Sequence, residues 1–287
     1  MSSRRIRLFL SHLAISAAVI SACIAFIVFV WYPPPLAQLE GVFSILLVMA
    51  FVDVCAGPLC TLVAASPKKP RRELARDLSI IGALQLLALA YALFTSCIAR
   101  PAYIVYNGGG FDVEHANELS REELAKASTS EFASIPLLGP KFVEAQMPDD
   151  PKIAAQIVNS AVMTGIDIKD MPQYFRPWPT SAGDVRAKGV PAANLPEGKP
   201  LRDQVEKILR KSSVDGAQAI VLPINGKVDR GTVVLRTTDL AVLGIVPFLA
   251  PPTAPATTAP TPSKDVPHKV QERFRVRPKS PGAIGAA

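Results

Sequence analysis

Charge is scarce in this chain: Asp, Glu, Lys and Arg make up 19% of 287 residues, against 49% hydrophobic residues. Ordinary soluble domains carry about 25% charge, so the apolar excess argues against a purely soluble globule and points to bilayer-crossing runs. Cysteine is equally sparse, with four residues and none after Cys97, which excludes a disulfide framework in the rest of the chain. The three His, His12, His115 and His268, fall in separate segments, and no Cys/His pair has zinc-like spacing. No metal or other cofactor is expected. Glycine shows no three-residue period and no heptads are sustained, so collagen and a long coiled coil are excluded as well.

Enzyme signatures are also missing. There is no Gly-x-Ser-x-Gly, His-Glu-x-x-His or Cys/His cluster. Gly108-Gly109-Gly110 lacks the Lys, the Ser/Thr and the following helix of a phosphate-binding loop, and reads as a flexible turn. Asp112 and Glu114, the one pair that suggests carboxylate catalysis, alternate along a strand and read as its solvated face. The chain is expected not to be an enzyme.

Three apolar runs are present, roughly 8–30, 41–65 and 78–98, each near the 20 or so residues that a helix needs to cross hydrocarbon. Arg4, Arg5 and Arg7 precede the first, and Lys68, Lys69, Arg71, Arg72 and Arg76 lie around the second connection, whereas Trp31 to Glu40 has no Lys or Arg. The positive-inside rule therefore predicts a cytoplasmic amino terminus, three spans over residues 1–100, and everything after Arg100 on the far side, the periplasm in a bacterium. Much of the net charge of +7 is then topological, and nucleic acid is not an expected partner. A cleaved signal peptide is the rival reading of the first run, since Ile20-Ser21-Ala22-Cys23 resembles a lipoprotein processing site; apolar residues continuing to Val30 favour a span.

Asp53 is the chief polar exception, near the midplane of the second span, where a charge is costly and needs a partner. Two readings stand: a recognition contact, or packing through Ser16, Ser21 or Gln85. Gly57-Pro58, one turn later, is expected to bend or open the helix and free backbone carbonyls.

Residues 101–250 read as an α+β domain with an antiparallel sheet. Tyr103 to Tyr106 and Phe111 to His115 form two strands around the glycines. Ser120 and Glu123 make a capping box with a Leu119/Leu124 staple, for a helix ending near Ser128. Asp150-Pro151 opens a helix whose apolar face, Ile153, Ile157 and Ala161 beside Ala154, Val158 and Val162, is expected to pack on the sheet. Met171 to Pro200 reads as a loop, and its aromatics Tyr174, Phe175 and Trp178 are either a partner-binding surface or pins that hold the loop to the core. A helix around Leu201, Val205, Ile208 and Leu209 precedes a meander of three strands, 218–224, 231–237 and 240–247. Residues 251–287, rich in Pro, Ala and Thr and then basic, are expected to be a disordered tail.

Trp31-Tyr32-Pro33, Val52-Asp53, Gly57-Pro58-Leu59, Thr61-Leu62, Pro67-Lys68-Lys69, Asp77-Leu78, Gln85-Leu86, Ala88 to Tyr91 and Arg100-Pro101 resemble the TfpX/TfpZ family of type IV pilin accessory proteins. The similarity is dense over residues 5–115 and looser through Pro136 to Pro140, the 148–165 helix, Tyr174 and the meander. It implies a non-enzymatic inner-membrane protein that supports pilin stability or pilus assembly, with the major pilin and membrane lipid as partners. A mechanism consistent with it has Asp53, Gly57 and Pro58 meeting the pilin helix while the exported domain holds its head, with Tyr174, Phe175 and Trp178 as candidate partner contacts. A membrane-anchored periplasmic sensor or scaffold fits the same topology. No motif sets the oligomeric state.

Overall fold

A computed structural model of the chain describes residues 3–66 and 69–249; the tail from 251, with its expected disorder, and Lys68 lie outside the described residues. Among the described residues three helical segments are long and apolar enough to cross a membrane, Arg4–Trp31, Phe43–Ala64 and Arg71–Ile98. The first joins α1 (Ser3–Phe26) to a π-helical turn, Ile27–Trp31. A proline-rich reversal then leads to the single turn α2 (Leu36–Leu39). The second span is α3 (Phe43–Ala50), a π-helical stretch Phe51–Ala56, and α4 (Gly57–Ala64). The third is α5 (Arg71–Ile98), entered from Pro70, whose missing N–H costs a helix start nothing.

The chain turns at once from α5 into β1 (Pro101–Tyr106) and β2 (Phe111–His115), an antiparallel pair around the glycine triplet. There follow α6 (Arg121–Leu124), β3 (Lys141–Ala145), α7 (Pro151–Thr164), β4 (Phe175–Pro177), α8 (Ala182–Lys188), β5 (Val190–Pro191), α9 (Pro200–Ser212), and the strands β6 (Ala219–Asn225), β7 (Arg230–Arg236) and β8 (Val242–Val246). The eight strands of the described residues belong to one sheet in the order β4-β3-β1-β2-β6-β7-β8, with β5 also pairing β6. The sheet is mixed rather than antiparallel throughout. The meander β6-β7-β8 is antiparallel, but β1 pairs β3 and β2 pairs β6 in parallel, which the long connections between those strands permit.

Local signals placed several elements well. The Ser120 hydroxyl accepts the Glu123 N–H at 3.1 Å, and Leu119 and Leu124 are both buried, although α6 stops at Leu124, well short of Ser128. The Asp150 carboxylate accepts the Lys152 N–H at 2.8 Å, and Gly165 ends α7 at φ 76°, the left-handed region that suits glycine. The face of α7 departs from expectation: Ile157 is buried, but Val158, Val162 and Met163 are exposed, so the helix touches the core along a narrower stripe than its apolar pattern suggests. The stretch read as loop holds α8, and the two residues just before it, Thr180 and Ser181, are fixed by N–H bonds to the buried Glu144 carboxylate, both at 2.9 Å. An anchor supplied from a distant strand leaves no local signal.

Three apolar clusters clothe the sheet. One holds Ile104, Phe111, Leu222, Val233 and, from the connection between the first two spans, Leu36 and Leu39. A second gathers Tyr103, Phe132, Ile157, Ile168 and Phe175. In the third, Leu201, Val205 and Leu209 of α9 meet Ala219, Val221, Val234 and Val246. A fourth joins Ile20, Ile27, Tyr32, Ala37, Leu46 and Met49 at the ends of the spans. The connection 32–42 therefore belongs to two cores at once.

Candidate functional site

The second span is built around its acid. Pro58 has no N–H, and in the π-helical stretch the Gly57 N–H bonds to Val52 O, so the Asp53 carbonyl is left without a backbone donor. Gln85 of the third span fills the gap: its Nε2 donates to Asp53 O at 3.1 Å and to Asp53 Oδ1 at 3.2 Å. Gly57 makes this approach possible, because a Cβ there would overlap the Gln85 amide. On the first span, His12 Nδ1 lies 2.6 Å from Thr61 Oγ1, and Arg5 donates to Leu62 O at 2.8 Å. Asp53, Gly57 and Pro58 are thus brought together with Gln85, and of the three packing partners considered for Asp53 it is Gln85 that bonds to it.

Asp53 is only 5% exposed, yet among the described residues its Oδ2 has no hydrogen-bond partner, and neither has Gln85 Oε1. Two cavities flank it. One of about 170 Å³ lies among His12, Ser16, Asp53, Gly82 and Gln85; the other, about 430 Å³ and largely apolar, lies among Val48, Val52, Asp53, Ala88 and Ala92. A buried acceptor that is half-satisfied in a low-dielectric medium will take a donor when one is offered.

The aromatic trio sits elsewhere, in the sheet domain. Phe175 is completely buried, with its ring 5.3 Å from Tyr103 and 6.0 Å from Phe132. Trp178 is half-buried beside Tyr106 and Phe111, and its Nε1 donates to Leu240 O at 3.1 Å. Tyr174 is half-buried against the same cluster as Phe175. The three rings pin the loop to the core, and Phe175 has no surface to offer a partner.

Two polar clusters escaped the sequence reading. In the first, Glu40 of the span connection reaches β2, where His115 Nε2 lies 2.5 Å from Glu40 Oε2 and His115 Nδ1 lies 2.8 Å from Glu118 Oε2. Burial alone would lower the His115 pKa, but the two carboxylates override it and raise it to about 9, while the bond from His115 holds Glu118 down near 2. Backbone bonds reinforce the joint, since the Val228 and Asp229 N–H groups donate to Leu39 O at 3.0 and 3.1 Å.

The second cluster corrects the expectation of a solvated strand face. Glu114 is 0% exposed and paired with Lys169 at 2.8 Å, while Lys169 also bonds to Asp170 at 2.6 Å. Burial pushes the Glu114 carboxyl up to about 8 against the pull of Lys169. Asp112 is held by Asn107 and Asn225 at 2.6 and 2.8 Å. Lys188 donates to Gly108 O at 2.5 Å, so the glycine triplet is a turn held by a lysine. Among the described residues no group of three or more His, Cys, Asp or Glu is arranged to hold a metal.

Three membrane-length helices, an intramembrane acid and a sheet domain clasped by the span connection define a membrane-anchored α+β protein. Comparison with known proteins narrows the class. A family model described as Fimbrial assembly protein FimB matches residues 2–41. The fimbrial assembly protein of serogroup E1 from Dichelobacter nodosus is 26% identical over 215 residues, which cover 74% of this chain and 83% of that protein. The serogroup I protein of the same organism matches to the same extent. Its counterpart from serogroups C1 and C2 is 31% identical over 116 residues, 40% of this chain and 88% of the relative. The chain belongs to the fimbrial assembly protein family. No solved structure matches it.

Proposed function

We propose that this protein is a non-enzymatic assembly factor of a type IV fimbria, of the TfpX/TfpZ kind, that holds a pilin subunit in the membrane before polymerisation. The helix of the subunit docks beside the second and third spans, and the sheet domain meets its globular head. The observation that carries this reading is the unpartnered, buried Asp53 Oδ2 beside a largely apolar cavity between spans. An acceptor kept at the midplane at such cost is suited to recognising a donor on another helix. The relatives support it through their descriptions as fimbrial assembly proteins. The joint at Leu39, Glu40 and His115 supports it too, because a two-point grip needs the two halves held together. The charge asymmetry around the spans favours a bacterial inner membrane with the amino terminus in the cytoplasm and the sheet domain in the periplasm.

In-cell crosslinking tests the proposal, with photoreactive residues at Val52 and Cys55 on the second span and at Tyr174 and Val162 on the domain. Pilin captured from both regions is the expected result. Capture of other envelope proteins alone, with pilin present in the cell, would replace the proposal with a scaffold or sensor role.

A further inference from the structure

The turn between α6 and β3 ends in Pro136-Leu137-Leu138-Gly139, and its two leucines are 72% and 73% exposed. They do not stand at a remote loop tip. Arg100, itself buried at the foot of the third span, donates to Pro136 O from Nε at 3.2 Å and Nη2 at 2.8 Å, and from Nη1 to Cys97 O at 2.6 Å. Trp31, the last residue of the first span, donates from Nε1 to Leu137 O at 3.2 Å. The ends of those spans lie at one level, since the Tyr32 hydroxyl donates to Ser96 O at 3.3 Å. The turn is therefore tied by its backbone to two span ends on the same side of the membrane, and both leucine side chains are left outside.

Next to them, Phe29, on a helix long and apolar enough to cross a membrane, is 71% exposed. A groove of about 400 Å³ runs from it, lined by Phe29, Val30, Pro33, Leu138, Phe142 and Ile245. Leu137, Leu138 and Phe29 thus continue the lipid-facing surface of the first span onto the sheet domain. We propose that the Leu137-Leu138 turn is a membrane-insertion element, seated in bilayer lipid at the boundary where the first and third spans end. Trp31 and Arg100 hold the turn there through its carbonyls, and the turn gives the sheet domain a further membrane contact beyond its covalent link to α5. The occupant is lipid because the patch is continuous with a span, is fully apolar at its side chains, and sits beside an indole and a guanidinium whose donors are already used by the turn and by Cys97 O.

The test uses the full chain in phosphatidylcholine and phosphatidylglycerol vesicles, with a genetically encoded environment-sensitive fluorescent amino acid at Leu137 or at Leu138 in separate variants. This leaves the native cysteines in place. Blue-shifted emission, quenching by lipids carrying a doxyl group high on the acyl chain and protection from aqueous iodide are expected at one or both positions. Iodide quenching with no doxyl effect at both positions would overturn the proposal by placing the turn in water. Protection from both quenchers at both positions would overturn it in favour of a protein-covered surface, such as a second copy of the chain.

Discussion

Replacing His115 with Gln removes the cation that joins the span connection to β2. The size of the effect follows from the shift: His115 moves from 6.5 to about 9 on folding, and at about 1.4 kcal/mol per pKa unit this is worth roughly 3 kcal/mol. The pKa is raised in the folded state, so this stabilisation is complete below pH 6.5 and is lost as the pH climbs through 9. Gln retains a donor for one carboxylate but no charge, which leaves the buried Glu40 without a counter-ion. The assay is urea unfolding of the full chain in detergent micelles, followed by the fluorescence of the two tryptophans, Trp31 at the span end and Trp178 in the sheet core. At about pH 6 the variant should be weaker than the native chain by roughly 3 kcal/mol, and the gap should close toward about pH 10. Parallel curves, with a constant gap or none across that window, would refute the assignment of a charged His115 to this joint.

Other changes test the remaining contacts. Gly57→Ala forces a methyl into the Gln85 amide and should cost about 1–3 kcal/mol, read as a lower urea midpoint, while Gly82→Ala, inside α5 with nothing within 4 Å, should not lower the midpoint. Leu39→Ala opens a cavity in the core shared by the connection and the sheet; a loss of about 2–5 kcal/mol and faster proteolysis at the turn bearing Lys227 are expected. Glu114 has the same sign as His115 on a rising pH scale but a different cause, burial: its raised carboxyl pKa makes ionisation above 4.5, through about 8, destabilising. Glu114→Gln should therefore flatten the decline in melting temperature over that range, and an unchanged slope would mean that Glu114 is already ionised in the folded protein.

Legibility in the sequence followed how local each feature is. The spans were readable because a largely apolar stretch of about twenty residues needs no distant partner to be recognised. The caps at Ser120 and Asp150 were readable because donor and acceptor are two or three residues apart. Asp53 stood out for its cost, and the combination of Gly57 and Pro58 forecast a carbonyl that would need a neighbour; that the neighbour is Gln85 followed from span packing. Glu114 was misread as solvated because strand alternation identifies a face but not what covers it, and Lys169 arrives from 55 residues away. The exposed face of α7 failed in the opposite sense, since apolar periodicity shows what a helix is able to bury and not how much it does bury.

The sequence by itself determined the three spans, the acid and the break in the second of them, the α+β character of the domain and its C-terminal meander, because each rests on composition or on contacts only a few residues apart. The tertiary structure alone decided that the sheet is mixed, that Phe175 and Trp178 are core pins, and that Glu40 meets His115 across 75 residues. Such pairings depend on which faces come together once the hydrophobic surfaces collapse, and a linear pattern states what each face is made of without saying which face it will meet.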